Sequence, residues 1–464
     1  MDNRQSSLPR PGRLRRSSNS YNALSDYHNL DELAVPAPVL DPDEERLRTV
    51  GSLEDRNDVN KEGNGGLDAQ RTPTAQGASA EGTGSDYEVS GAATQLYTIS
   101  YLIFFSLLGT LARLGLQTIT FYPGAPIVFS EVWANFGGCL IFGFLSEDRM
   151  LFKYEWGRAT YDQAIARAKA RQHDEENGAS FEKPDGMIAA KRAHAATKKT
   201  IPLFVGLATG FCGSFTSFSS FIRDAFFALS NHLPTPLDHP ADYTISSTTS
   251  STVSRNGGYS FMALLAVLII TVALCMAALQ FGAHLAILSE PYTPSLPFLP
   301  ARKVLDPVFV FLAWGSWLGA ILLAIFPPDA VTWRGRAVFA LVFAPVGCLS
   351  RFYISLFLNR RIASFPLGTF VVNIVGTMIL GLSYDLQHVP LGGVIGCQVL
   401  QGIEDGFCGC LTTVSTWIGE LDGLRRSHAY RYGTASVILA LSTLIVIMGS
   451  MQWTVGFSAL VCKK

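Results

Sequence analysis

The chain has 464 residues, of which 48% are hydrophobic and 16% charged, with a formal net charge of −1. That charged fraction is low for a soluble protein, and near neutrality excludes an electrostatic nucleic-acid binder. The first 94 or so residues, rich in Arg, Ser, Asp, Gly and Asn without a long apolar run, read as a disordered cytosolic tail.

Arg10, Arg13, Arg15 and Arg16 have no apolar segment behind them, so no cleavable signal peptide is expected and the first long helix directs targeting. Windows of about 20 apolar residues, the length that crosses a bilayer core, fall near 96–119, 126–145, 201–229, 259–287, 306–326, 335–358, 366–386, 391–419 and 432–459. The lysines and arginines of the short connections set orientation. A cytosolic N-terminus puts 146–200, Arg302 with Lys303, Arg360 with Arg361, and Arg425, Arg426 and Arg431 inside. Arg255, Arg334, Arg336, the Ser/Thr-rich loop ISSTTSSTVS and the C-terminus then lie outside. Eight cysteines lie mostly within apolar runs, which suits small membrane residues better than a disulfide framework or a metal site.

The chain repeats itself. GTLAR at 109–113 matches GCLSR at 347–351, and Asn135, Gly138 and Gly143 match Asn373, Gly376 and Gly381, at one offset of 238. GFCGSFTSFSSF at 210–221 matches GFCGCLTTVSTW at 406–417 at an offset of 196. The missing 42 residues correspond to the charged insertion 146–200 of the first half, read as a solvated cytosolic spacer. Each repeat is a four-helix unit, 95–288 and 335–459, and a linker helix at 304–327 has no counterpart. One odd linker inverts the second unit relative to the first, and inverted repeats place a permeation or binding site near the midplane at their interface. The predicted fold is an all-α integral membrane protein of nine helices, with the third helix of each repeat broken.

These motifs, duplicated in order, resemble the CrcB-like fluoride channel family in its fused, two-repeat eukaryotic (fungal) form. The likeness covers roughly 96–287 and 335–459 and rests on the glycine-to-arginine stretch, WANFGGCLIFG with FVVNIVGTMILG, and the G-F-x-G-x-x-T-x-F-S-x-F helix. It implies a fluoride channel in the plasma membrane, a monomer acting as a pseudo-dimer, with two units antiparallel and anion pathways between them. It also implies a structural sodium ion at the helix break. In that setting Gly213 and Gly409 mark where the helix unwinds, and carbonyls of Gly213, Thr216, Gly409 and Thr412 are the expected cation ligands.

A fluoride pathway needs hydrogen-bond donors that replace water without trapping the ion behind a strong cation. Asn135 and Asn373 offer amide donors, against the alternative that each bonds neighbouring helices. Phe218 and Phe221 share a helical face and present positive ring edges, where packing is the alternative without the resemblance. The hydroxyls of Thr216, Ser219, Thr412 and Ser415 complete the expected path. The second repeat has Val414 and Trp417 in place of the phenylalanines but keeps Tyr432 and Ser436 one turn apart, whereas Tyr259 is followed by Ala263. One working pore is therefore expected, drawn from Phe218 and Phe221 with Asn373, Tyr432 and Ser436. Arg113 and Arg351 either attract anions in a vestibule or cap carbonyls.

No catalytic constellation is present, so no enzyme is expected. Two rival readings are a proton-coupled exporter of the small-multidrug type, which needs a carboxylate at midspan, and a non-transporting scaffold or sensor displaying the tail with its RRSSNS site. Asp224, Asp306, Glu404, Asp405 and Glu420 are expected near helix ends, which disfavours the exporter.

Overall fold

In a computed structural model the described residues are 91–122, 125–154, 194–195, 197–233, 255–326, 337–362, 364–389, 392–458, 460 and 462. The tail to residue 90, most of the insertion, the Ser/Thr-rich loop, Arg334, Arg336 and the terminal lysines lie outside them. The described chain is all helical. We label α1 (Gly91–Thr120), α2 (Glu131–Glu147), α3 (202–215 and Phe218–Ser230), α4 (Gly257–Ser289), α5 (Asp306–Ile325), α6 (Phe339–Leu358), α7 (Leu367–Gln387), α8 (393–411 and Ser415–Gly423) and α9 (Arg426–Thr454). The expected boundaries shift by a few residues: α1 begins inside the predicted tail and α9 begins at Arg426.

Seven of these elements are long and apolar enough to cross a membrane. Expected crossings α2 and α8 fall short, one because it has only 17 residues and the other because Gln398, Gln401, Glu404 and Asp405 lower the apolarity of its first part. Their outward surfaces are greasy, with Phe311 of α5 80% exposed, which is the arrangement lipid demands and water forbids. The protein is a multi-pass all-α membrane protein.

Local chemistry sets the helix ends. Pro202 opens α3 at a position whose N–H is unpaired anyway. Asn256 caps α4 through the Tyr259 N–H, and Asn231, at φ 61°, closes α3 in the left-handed region. Lys198 donates to the carbonyls of Leu145, Ser146 and Asp148, so an ammonium finishes the C-terminal end of α2.

Small residues let helices touch. A side chain at Gly143 would strike the Leu279 backbone and one at Gly282 the Leu140 backbone, so α2 and α4 lie against each other. α7 and α9 pack in the same way in the second repeat, where Gly381 meets Leu444. α5 lies on α1 and α6, anchored where Asp306 accepts from Tyr101 at 2.8 Å and from Arg302 at 2.9 Å. The second half of α3 packs on α7 and α9, and the second half of α8 packs on α2 and α4. The repeats are thus interleaved at their broken helices.

One expectation about cysteine is corrected. Cys397 and Cys462 form a disulfide, while Cys139, Cys212, Cys275, Cys348, Cys408 and Cys410 are free and buried. The apolar-run argument holds for those six and fails for the pair, because Cys462 lies beyond the end of α9 and Cys397 near the start of α8.

Candidate functional site at the crossed helix breaks

Both breaks follow a π-helical turn, Gly206–Cys212 in α3 and Ile403–Cys408 in α8. Such turns widen the helix and often occur at functional positions. The unwinding comes three residues later than expected. Gly213 and Gly409 are still right-handed helical, and the extended residues are Thr216 (φ −92°, ψ 149°), Ser217 (φ −140°, ψ 116°) and Thr412 (φ −92°, ψ 155°). The glycines serve space rather than backbone freedom: a side chain at Gly213 would strike the Arg351 guanidinium, and one at Gly409 that of Arg113.

Each break exposes backbone N–H groups that lipid cannot satisfy. Asn135 Oδ1 accepts the Ser217 N–H at 2.9 Å while its Nδ2 donates to Ser217 O at 3.5 Å. Asn373 does the same for Thr413, at 2.9 and 3.2 Å. Each asparagine therefore braces the break of its own repeat and retains one further amide hydrogen.

The threonines work across the repeats. Thr216 Oγ1 accepts the N–H groups of Val414 and Ser415, both at 3.1 Å, and Thr412 Oγ1 accepts that of Ser219 at 3.1 Å. Hydroxyl pairs add Thr216 with Ser415 at 3.2 Å and Thr412 with Ser219 at 3.0 Å. Thr216, Ser219, Thr412 and Ser415 are thus brought into one fully buried cluster. Gly138 and Gly376 leave room for the two threonine methyls.

The arginines follow the same exchange. Arg351 Nη1 donates to Gly213 O at 2.6 Å and Thr412 O at 3.3 Å, and its Nη2 to Thr209 O at 2.6 Å. Arg113 Nη2 donates to Asp405 O, the position equivalent to Thr209. Both side chains are buried and hydrogen-bonded to carbonyls, with Arg113 Nη1 and Arg351 Nε left without a partner among the described residues. Gly213 O and Thr412 O converge on one donor atom, the ligand chemistry a hard cation takes, and here a guanidinium meets them.

Phe218 makes an edge-on contact with Phe221, centroids 5.8 Å apart, and another with Trp417 of the second repeat at 5.2 Å. The tryptophan that replaces a phenylalanine therefore joins the same aromatic group. Its buried Nε1–H has no hydrogen-bond partner. Ser436 Oγ donates to Tyr432 O at 2.8 Å, its own helix, and Tyr432 donates from its hydroxyl to Glu420 Oε2 at 2.6 Å.

Glu420 stands near the end of its helix, as expected, yet the fold encloses it. It is fully buried and also accepts from Thr369 Oγ1 at 2.5 Å. Glu404 is buried as well, paired with Arg223 at 3.3 Å and bonded by Gln387. The signal that would have found Glu420 was present: Asp224 and Glu420 stand at the same offset of 196, each three residues past the second aromatic position. Glu404 has no such mate, since Ala208 occupies the equivalent place.

The fold and site thus define a membrane protein of two related helical units whose broken helices complete one another. The family model described as CrcB-like protein, Camphor Resistance (CrcB), matches residues 100–236 and 338–451. The chain belongs to the CrcB-like protein family. Fluoride export protein 1 of Neurospora crassa is 50% identical over 474 residues, covering 96% of this chain and 85% of that one. Fluoride export protein 1 of Candida albicans is 32% identical, over 75% of this chain and 78% of its own. The fluoride-specific ion channel FluC of Geotalea uraniireducens is 35% identical over 106 residues, which are 23% of this chain and 84% of that one. No solved structure matches the chain.

Proposed function

We propose that the protein is a fluoride-selective channel that lets cytosolic fluoride leave by passive electrodiffusion and so confers fluoride resistance. It works in the plasma membrane as a monomer built like a dimer: two inverted four-helix units joined by α5, with the N-terminus cytosolic and the C-terminus external. The observation that carries the reading is the reciprocity of the breaks, in which Thr216 and Thr412, and Arg351 and Arg113, each serve the other repeat. Such an exchange supports two units related by a pseudo-twofold axis in the membrane plane. The FluC relative supports it further, since 84% of that channel matches less than a quarter of this chain.

The pathway we assign runs beside the aromatic group of Phe218, Phe221 and Trp417. Ring edges, the spare amide hydrogens of Asn135 and Asn373, and the hydroxyls of Ser219 and Ser415 supply weak positive partners for a small anion, and Tyr432 and Ser436 join them when their O–H groups turn from Glu420 Oε2 and Tyr432 O. The two buried arginines beside it are each hydrogen-bonded to backbone carbonyls. Hydrogen fluoride enters an acid-exposed cell as a neutral molecule and dissociates in the more alkaline cytosol. The inside-negative potential, worth about 2.3 kcal/mol per charge per 100 mV, then drives the anion out.

A structural sodium ion, implied by the family resemblance, is proposed at the carbonyls of Gly213, Thr216, Gly409 and Thr412, where it shares the first and last with Arg351. It enters no step of permeation.

The test is fluoride efflux from proteoliposomes at imposed potentials. The expected flux reverses with voltage and needs neither ATP nor a proton gradient. Flux that follows an imposed proton gradient instead favours the exporter reading, for which buried Glu420 and Glu404 would be the candidate carriers. No flux under any condition favours the scaffold.

A further inference from the structure

The chain does not trail away from α9. The N–H groups of Val455 and Gly456 both return to Met451 O at 3.0 Å, and Gly456 stands at φ +78°, a left-handed position that favours glycine. This turn lays the following residues across the neighbouring helix ends. The Phe457 ring lies 5.2 Å from Tyr384, 4.8 Å from His388 and 5.8 Å from His232 by centroid. Ser458 Oγ donates to His388 O at 2.5 Å. Trp453, one turn earlier, meets Phe226 at 6.3 Å. Cys462 then closes on Cys397 in α8, with a Cα separation of 5.5 Å across 65 residues. The strap joins the ends of α3, α7, α8 and α9, beside the Arg223–Glu404 pair.

We propose that Cys397–Cys462 is an oxidative staple that forms only when the C-terminus reaches an oxidising compartment, and that it ties the C-terminal strap to the outer end of α8. The proposal rests on the external C-terminus given above. A chain inserted the other way round leaves both thiols in contact with cytosolic glutathione and stays reduced. In the correct sense the two thiols lose two protons and two electrons to the disulfide of an exchange partner, which leaves as a dithiol. An added phosphine reverses the reaction and is itself converted to the phosphine oxide, with oxygen from water. The six other cysteines are free and buried, which keeps them from an exchange partner at the surface.

The experiment uses the full chain carrying a C-terminal epitope, alkylated in intact cells before extraction. The expected result is an epitope accessible from outside, Cys397 and Cys462 joined in one peptide pair, and alkylation of both only after a membrane-impermeant phosphine acts from outside. Cys462→Ser and reduced wild type should unfold at lower temperature than oxidised wild type, by about 4 °C or more. An external epitope with both thiols alkylated before reduction overturns the staple while leaving the orientation intact. A cytosolic epitope overturns the orientation reading and the proposal with it.

Discussion

Thr216 and Thr412 cap each other's repeats: the hydroxyl of Thr216 receives the N–H groups of Val414 and Ser415, and that of Thr412 receives the N–H of Ser219. Capping within one helix is a local matter, but here each repeat depends on the other to begin the second half of its broken helix. Replacing a capping threonine costs about 0.5–2 kcal/mol, so Thr216→Val and Thr412→Val should each lower the unfolding midpoint in detergent. The double variant should show a coupling outside additivity, while Thr→Ser at either position retains most of the stability. Additive losses would mean that the two caps act independently.

Gly213 and Gly409 are expected to reject even a methyl group. Gly213→Ala collides with the Arg351 guanidinium and Gly409→Ala with that of Arg113, and overpacking of this kind costs about 1–3 kcal/mol. Gly115→Ala meets nothing within 4 Å and serves as the control that should keep or raise stability. Arg351→Lys should not restore what Arg351→Gln loses, because one ammonium lacks the planar fork that spans Thr209 O and Gly213 O. Folded yield and thermal midpoint read both sets.

Trp417 offers a test that separates structure from permeation. Its indole N–H is buried without a partner, and removing an unpaired buried donor does not destabilise a protein. Trp417→Phe should therefore leave the unfolding temperature nearly unchanged, the relief of the unpaired donor offsetting the loss of part of a fully buried ring. If the indole N–H faces the anion, fluoride flux falls at the same time. A fall in both stability and flux would assign Trp417 to packing alone.

Glu420 holds the hydroxyls of Tyr432 and Thr369, so its charge fixes which way two donors point. Glu420→Gln should reduce fluoride flux at least about tenfold, the change that 1.4 kcal/mol produces, since an amide NH2 meets one of the two hydroxyl donors. Asp224→Asn, at the equivalent place in the first repeat, should reduce it less, because no hydroxyl pair converges on that side chain.

Lys198 supplies a pH dependence outside the membrane spans. Burial pushes its ammonium down to about 8, with the Asp148 carboxylate opposing. The folded state therefore releases the proton more readily than the unfolded chain, whose value is the ordinary 10.5. Between about pH 8 and 10.5 the unfolded state binds more protons, and this group's contribution to stability rises with pH. Below pH 8 the contribution is constant. Lys198→Met should remove that rise and cost about 1–3 kcal/mol through the exposed carbonyls of Leu145, Ser146 and Asp148. Unfolding at pH 7 and 9.5 measures both effects.

Much of the fold is legible in the sequence because a bilayer imposes length and apolarity on anything that crosses it. Seven of the nine apolar windows fall on helices long and apolar enough to cross a membrane, and the offsets of 238 and 196 pair Asn135 with Asn373 and Thr216 with Thr412 from the chain alone. The site is less legible. Glycine at 213 and 409 reads as a hinge, since loosened backbone is what glycine signals along a chain. Its use as space for a side chain from another helix has no signature in local sequence. The acids are similar: Glu420 stands near the end of a helix in sequence, and the packing of α2, α4 and α9 with the hydroxyls of Thr369 and Tyr432 encloses it.

The sequence by itself determined that two homologous helical units share one membrane protein, that each carries a broken third helix, and which residues stand in equivalent positions. Periodicity, hydropathy and constant offsets are properties of the chain alone. Tertiary structure decided that the repeats exchange their caps, that Arg113 and Arg351 are spent on carbonyls of the opposite unit, that Trp417 joins Phe218, and that Cys462 returns to Cys397. Each of these joins residues far apart in the chain, and an equivalence between positions does not say whether a residue serves its own repeat or the other.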